Sequence, residues 1–144
     1  MTVLVTGAAG FIGMHVVKAL LNEGRDVIGV DNLNDYYDVA LKEARVERLN
    51  SQPRFRFYKA DISDRDAMFG IIEKHPGITG IIHLAAQAGV RHSLADPYVY
   101  VTANLMGQVV MLEAALQEAA KSAGIELSVE NGGIYLLYSP LPLN

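Results

Sequence analysis

Thr2-Val3-Leu4-Val5-Thr6-Gly7-Ala8-Ala9-Gly10-Phe11-Ile12-Gly13 stands at the start of the chain, and its reading decides the fold. Its first five residues, Thr2–Thr6, are a continuous run rich in β-branched side chains, which predicts a strand covered on both faces, as in a parallel sheet. From Phe11 to Leu21 the pattern is helical, with Ile12, Val16, Ala19 and Leu20 on one expected face. Between strand and helix, Gly7 permits a tight turn, Gly10 lets a pyrophosphate approach the backbone, and Gly13 lets helix and strand pack closely. The free N–H groups and the positive end of the helix dipole then face the phosphates. Glycine turns are common, and a purely structural turn beside a surface aspartate is the plainer reading. Against it, Asp31 ends the next strand 18 residues after Gly13, where a carboxylate accepts hydrogen bonds from an adenosine ribose. No arginine follows Asp31 to meet a 2′-phosphate, so NAD is expected over NADP.

Outward from this stretch, strands and helices alternate. Asn22-Glu23-Gly24 closes the first helix in the manner of a glycine C′ position. Asp26–Val30 is a second predicted strand and Val39–Leu49 a charged helix. Arg54–Tyr58 alternates arginine with aromatics, which predicts a third strand nearer the sheet edge with its arginines outward. Ser63 and Asp64 stand where an N-cap belongs before a helix Arg65–Lys74, and His75-Pro76-Gly77 stops it. Thr79–Ala85 is a fourth buried strand, after which Asp96-Pro97 opens the longest helix, running to Ala123 and ending at Gly124. This rhythm predicts an α/β fold: a doubly wound, Rossmann-type parallel sheet of four or five strands flanked by helices on both faces. In the long helix Leu105, Val109, Leu112 and Leu116 form one stripe, and Val101, Met106 and Val110 widen the apolar surface beyond it. Either the helix is deeply buried or it meets a second helix-sized partner, and the expectation is a homodimer through Pro97 to Ala123.

Composition narrows the function classes. At 144 residues the chain is the size of one domain, and 51% hydrophobic residues with 19% charged exclude a disordered chain. Lys+Arg 12 against Asp+Glu 16 leaves no basic excess to hold nucleic acid, so an anionic ligand must be met by backbone dipoles. The absence of cysteine excludes disulfides, thiolate zinc sites and a cysteine nucleophile, and fits a reducing, cytoplasmic setting. The N-terminus has no basic segment of a signal peptide, and no stretch reaches ~18 uninterrupted apolar residues, so no membrane association is expected. His15, His75 and His92 share no ligand spacing, and no metal is assigned. His83, in mid-strand, reads as a satisfied core histidine.

Taken together, Thr6-Gly7-x-x-Gly10-Phe11-Ile12-Gly13, Asp31-Asn32, Asp61-Ile62 and His83-Leu84-Ala85-Ala86 resemble the extended short-chain dehydrogenase/reductases, the NAD-holding sugar-nucleotide epimerases and dehydratases. Asp31-Asn32-Leu33-Asn34-Asp35-Tyr36-Tyr37-Asp38 and Ala85-Ala86-Gln87-Ala88-Gly89-Val90-Arg91-His92-Ser93 are similar to the UDP-glucuronate 4-epimerases among them. The resemblance covers residues 1 to about 124. It implies that Gly7, Gly10, Phe11, Ile12, Gly13, Asp31 and Asn32 hold NAD, and that Asp61 and Ile62 bind the adenine. It further implies that Leu84, Ala85, Ala86 and Gln87 line the ribose and nicotinamide side, with Asn104 reaching toward the cofactor. Arg91 falls just past a strand expected to be central, where a guanidinium can grip the carboxylate of a uronic acid. The resemblance makes it a substrate-binding residue for UDP-glucuronate or UDP-galacturonate, with Ser93 as a hydroxyl partner.

In that family hydride passes from sugar C4 to NAD and returns to the other face of a 4-keto intermediate, with a tyrosine of a Tyr-x-x-x-Lys motif as base. This chain lacks the motif. Lys18, Lys42, Lys59, Lys74 and Lys121 follow Met14, Asp38, Phe55, Gly70 and Gln117 by four residues, none of them tyrosine. No catalytic residue is therefore assigned. Residues 1–124 are expected to form the NAD-binding domain and 125–144 an atypical tail, with Ile134–Tyr138 as the candidate fifth strand and Ser139 left without a role. The chain is accordingly expected to be incomplete and inactive alone. A 4,6-dehydratase or uronate decarboxylase fragment, and a non-catalytic dimerising NAD-binding module, stay open as alternatives.

Overall fold

Strands that are apolar on both faces need a helical layer on each side, and the chain supplies both. The computed structural model describes residues 1–124, 126–130 and 133–137. Its elements in chain order are β1 Thr2–Thr6, α1 Phe11–Asn22, β2 Asp26–Asp31, α2 Val39–Asn50, β3 Phe55–Lys59, α3 Arg65–Glu73, β4 Ile78–His83, α4 Val90–Ala95 and α5 Pro97–Ala123. The four strands are parallel in the order β3-β2-β1-β4, with Leu4 paired to Ile28 and Ile81, and Thr6 to Val30 and His83. Caps lie where the sequence places them. Asp64 accepts from Ala67 N, Asp96 accepts from Tyr98 N ahead of Pro97, and Gly124 ends α5 in the left-handed region.

Strand alternation divides β1 between two cores. Val3 and Val5 pack with Val27, Phe55, Val17 of α1 and Leu49 of α2. Leu4 packs on the other side with Ile28, Val30, Met68 and Ile72 of α3, and Val110, Met111 and Ala114 of α5.

Three expectations change. First, α1 does not bury Ile12, Val16, Ala19 and Leu20 as one face; Gly13 and Val17 turn inward, and Ile12 is exposed. A Cβ on Gly13 would stand 1.9 Å from the Gly7 carbonyl oxygen, so this glycine has to meet β1's end and it sets the rotation of the whole helix. Second, α5 buries Gly107, Val110, Met111, Ala114 and Ala120, while Leu105, Val109 and Leu112 of the leucine-rich stripe face solvent. The small residues win the inner face because they allow closer approach: a Cβ on Gly107 would lie 2.5 Å from Ile62 Cδ1. By length and composition α5 is also long and apolar enough to cross a membrane, which counting uninterrupted apolar runs did not show; its inner side is packed on the sheet. Third, the candidate fifth strand is found as β6, Gly133–Leu137, but it pairs antiparallel with β5, Glu126–Glu130, in a separate two-stranded sheet. Tyr138 and Ser139 lie outside the described residues. The parallel sheet therefore has four strands among the described residues, and β4 is its edge rather than a central strand.

Candidate functional site

Parallel strands put all their C-terminal ends along one edge of the sheet. The chain leaves β1 toward β2 and later returns to place β4 on β1's other side, so the crevice where a doubly wound sheet binds ligands lies between the ends of β1 and β4. Onto that edge converge the loops carrying Gly7 to Gly10, Asp31 to Asp38, Asp61 to Asp64 and Leu84 to Gly89.

Gly7 sits at φ +70°, and a Cβ there would press on the Leu84–Ala85 peptide at 2.9 Å. Gly10 N donates to Gly7 O at 3.0 Å and caps α1 without any side-chain hydrogen bond. The first-turn amides of α1 are thus left without a capping side chain at the mouth of the crevice, flanked by exposed Phe11 and Ile12. A helix N-terminus bared in this way fits a pyrophosphate.

Asp31 is 7% exposed. Its Oδ2 accepts from Ala9 N at 3.1 Å and its Oδ1 from Leu33 N at 2.9 Å, so the carboxylate ties the glycine loop to the end of β2. Spare lone pairs on both oxygens suit ribose hydroxyls. Sequence reasoning missed what surrounds it. Lys42 Nζ, buried, lies 4.0 Å from Asp31 Oδ1, donates to Asn34 O at 3.0 Å and to Asn34 Oδ1 at 2.5 Å, and sits 4.5 Å from the centre of the Tyr37 ring. Arg45 donates to Ala9 O at 3.2 Å and to the Tyr37 hydroxyl at 3.3 Å. Both lie in the first turns of α2 after its Asp38 cap, on the helix that the sequence marks only as charged.

At the end of β3, Asp61 Oδ1 accepts from Ser63 N at 2.9 Å and Ser63 Oγ at 2.6 Å, and Oδ2 accepts from Asn32 Nδ2 at 3.2 Å. Burial pushes this carboxyl up, but the bonds from the Ser63 hydroxyl, the Ser63 N–H and Asn32 outweigh it and hold it below the usual range. The Ile62 side chain is buried against Gly107.

At the end of β4, buried Thr6 organises the turn. Its Oγ1 accepts from Leu84 N at 3.1 Å and Ala85 N at 3.2 Å, and lies 2.6 Å from His83 Nδ1. Both acceptor sites of the hydroxyl are used, so its proton goes to Nδ1 and the imidazole is neutral with its hydrogen on Nε2. Burial likewise pushes the His83 pKa down. His83 is accordingly a satisfied, half-buried histidine. Leu84 and Ala86 are exposed and Gln87 is buried.

The Asn104 amide is engaged by the Gln87 backbone. Its Oδ1 accepts from Gln87 N at 2.7 Å and its Nδ2 donates to Gln87 O at 3.0 Å, so the side chain holds Gln87 in place. It projects from a π-helical stretch of α5, Val101–Met106, a geometry frequent at functional sites. Arg91 and Ser93 lie on α4, a short helix absent from the sequence reading. Arg91 is exposed and in no ion pair among the described residues, whereas the Ser93 hydroxyl donates to Val90 O at 2.6 Å.

Comparison with known proteins follows the same outline. The family model described as GDP-mannose 4,6 dehydratase matches residues 4–127. A UDP-glucuronate 4-epimerase of Thermodesulfobacterium geofontis is 52% identical over 110 residues, covering 76% of this chain and 34% of that protein. The crystal structure of UDP-glucuronic acid 4-epimerase from Bacillus cereus, in complex with UDP-glucuronic acid and NAD, superposes with a TM-score of 0.67 at 38% identity over 79% of this chain and 36% of that one. A dTDP-glucose 4,6-dehydratase from Streptomyces venezuelae with NAD bound superposes with a TM-score of 0.70 at 31% identity, over 83% and 37% of the two chains. The chain spans about a third of the length of the curated relatives it matches.

Proposed function

The chain belongs to the GDP-mannose 4,6 dehydratase family, and from that premise we propose that it is the NAD-binding part of a UDP-glucuronate 4-epimerase. The observation that carries this reading is the pairing at the sheet edge of an uncapped α1 N-terminus with a buried Asp31 at the end of β2. Gly7, Gly10, Phe11, Ile12 and Gly13 would hold the pyrophosphate, and Asp31 and Asn32 the adenosine ribose. Asp61 and Ile62 would meet the adenine, and Leu84, Ala85, Ala86 and Gln87 the nicotinamide half, with Asn104 fixing Gln87. NAD, when bound, supplies the hydride acceptor for oxidation at the sugar C4. Residues 1–124 form this nucleotide-binding domain in the proposal, and a cytoplasmic setting goes with it.

Arg91, exposed beyond β4, would bind the carboxylate of UDP-glucuronate or UDP-galacturonate, with Ser93 beside it. The 144-residue chain itself, without a Tyr-x-x-x-Lys, is expected to bind NAD and not to convert the sugar. The outward face of α5, with Leu105, Val109 and Leu112, supports a homodimer through that helix.

Isothermal titration tests the central claim. NAD should bind the purified chain, and Asp31→Ala should weaken it roughly 10- to 100-fold, the worth of hydrogen bonds to a charged acceptor at about 1.5–3 kcal/mol. Absence of NAD affinity, or an Asp31→Ala variant that binds as well as the original, sinks it. The similarity to a dTDP-glucose 4,6-dehydratase sustains a second reading as part of a dehydratase. Identifying the product that a full-length relative makes from UDP-glucuronate separates the two.

A further inference from the structure

The loop after β2 and the segment after β4 stand on opposite sides of the crevice, yet they touch. Tyr36 reaches across from the β2–α2 loop: its hydroxyl oxygen stands 1.8 Å from where a Cβ on Gly89 would be. Gly89 is at φ +103° and caps α4, a backbone conformation that favours glycine and leaves room for the tyrosine hydroxyl. The Tyr36 ring packs on His92 of α4, centroids 5.4 Å apart, and His92 in turn packs on Tyr100 of α5 at 6.1 Å. Tyr100 closes the group by donating its hydroxyl hydrogen to the Ala88 and Gly89 carbonyls. A second bridge runs beside the first, from Asn34 Nδ2 to Gln87 Oε1 at 3.3 Å.

These contacts matter because α4 has little else to hold it. It is six residues long, buries none of them, and has no side-chain cap. A helix that short does not persist in water by its own propensity. The aromatic group of Tyr36, His92 and Tyr100 is what fixes the residues that bear Arg91 and Ser93. The other end of the Tyr36 loop is rooted in Asp31, through Leu33 N, and in Lys42, through Asn34. One continuous set of contacts thus runs from the Asp31 carboxylate through the loop to α4.

We propose that Tyr36 is a positioning residue that couples occupancy of the dinucleotide crevice to the order of the arm carrying Arg91 and Ser93. The proposal rests on the reading of that crevice as an NAD site. Ordering shared in this way gives positive cooperativity between cofactor and substrate without a large structural change.

Amide hydrogen exchange on the 144-residue chain, with and without NAD, tests the coupling. In the original chain NAD should slow exchange at Phe11–Gly13 and, at least roughly fivefold, at Val90–Ala95. Tyr36→Ala and, from the opposite side, His92→Ala should keep the slowing at Phe11–Gly13 and lose it at Val90–Ala95. Tyr36→Phe, which keeps the ring on His92, should retain both. Unchanged amide protection in β1 controls for folding. Equal slowing at Val90–Ala95 in both alanine variants overturns the coupling, as does slowing at Phe11–Gly13 alone in the original chain. If NAD slows neither segment, the NAD-site reading falls and the coupling with it.

Discussion

Thr6 shows how much a single buried hydroxyl decides. It joins β1 to the turn after β4 through two accepted amides and one donated proton, and so sets the tautomer of His83. Thr6→Val keeps the shape but leaves the Leu84 and Ala85 amides without their acceptor, at a cost of about 1–3 kcal/mol in denaturant unfolding. Thr6→Ser should recover most of that stability; equal losses in the two variants would mean the hydroxyl is not the cause. At this scale the glycines and Asp31 are legible in the sequence because backbone geometry and a fixed spacing demand them. Lys42, Asn34 and Tyr36 are not, because their partners Asp31, Gln87 and Gly89 are brought to them by loops whose path no local pattern specifies. The bond of the Ser93 hydroxyl to Val90 O is likewise not legible, because the short helix that makes it has no sequence pattern of its own.

Among the elements, the helices teach more than the strands. Strand existence follows from runs of β-branched and apolar residues, and β1 to β4 lie within a residue or two of where those runs predict. Helix rotation does not follow from apolar periodicity when a helix is apolar on both sides. In α1 and α5 the face turned inward is chosen by a glycine, Gly13 against Gly7 and Gly107 against Ile62, because close approach to the sheet outweighs the burial of a larger side chain. The outward face of α5 can be tested directly. Leu112→Glu, at an exposed position, should leave the unfolding free energy within about 0.5 kcal/mol while shifting a dimer to monomer in sedimentation velocity. Met111→Glu, at the buried residue just before it, should instead unfold the chain, by placing an unpaired charge in the core. A chain that sediments as a monomer before any substitution would end the dimer proposal.

For the molecule as a whole, acid acts through groups spread across the sheet edge. His83 is held below its ordinary value of 6.5 by burial. In the window just below 6.5 the unfolded chain therefore binds more protons than the folded one, and stability falls as the pH drops. Asp61 is held below its ordinary 3.8, with burial opposing and hydrogen bonds from Ser63 and Asn32 prevailing. Its contribution is present above 3.8 and lost as pH falls through its lower folded value. Thermal melting should thus be level near neutrality, decline below about pH 6.5 and decline again below pH 4. His83→Asn, which retains an acceptor near the Nδ1 position, should remove the first decline and leave the second. A first decline unchanged in that variant would assign it elsewhere.

The sequence by itself determined the α/β class, the parallel sheet, the glycine turn and the acidic end of β2. Each of these is written in residues that are neighbours along the chain, where backbone conformation and side-chain period act directly. Only the tertiary structure decided which faces of α1 and α5 are buried, that Asn104 holds Gln87, that Arg91 rides on a separate short helix, and that β4 is the edge of the sheet among the described residues. Those outcomes depend on how separate elements pack against one another, and close approach at Gly13 and Gly107 sets the faces of the two helices.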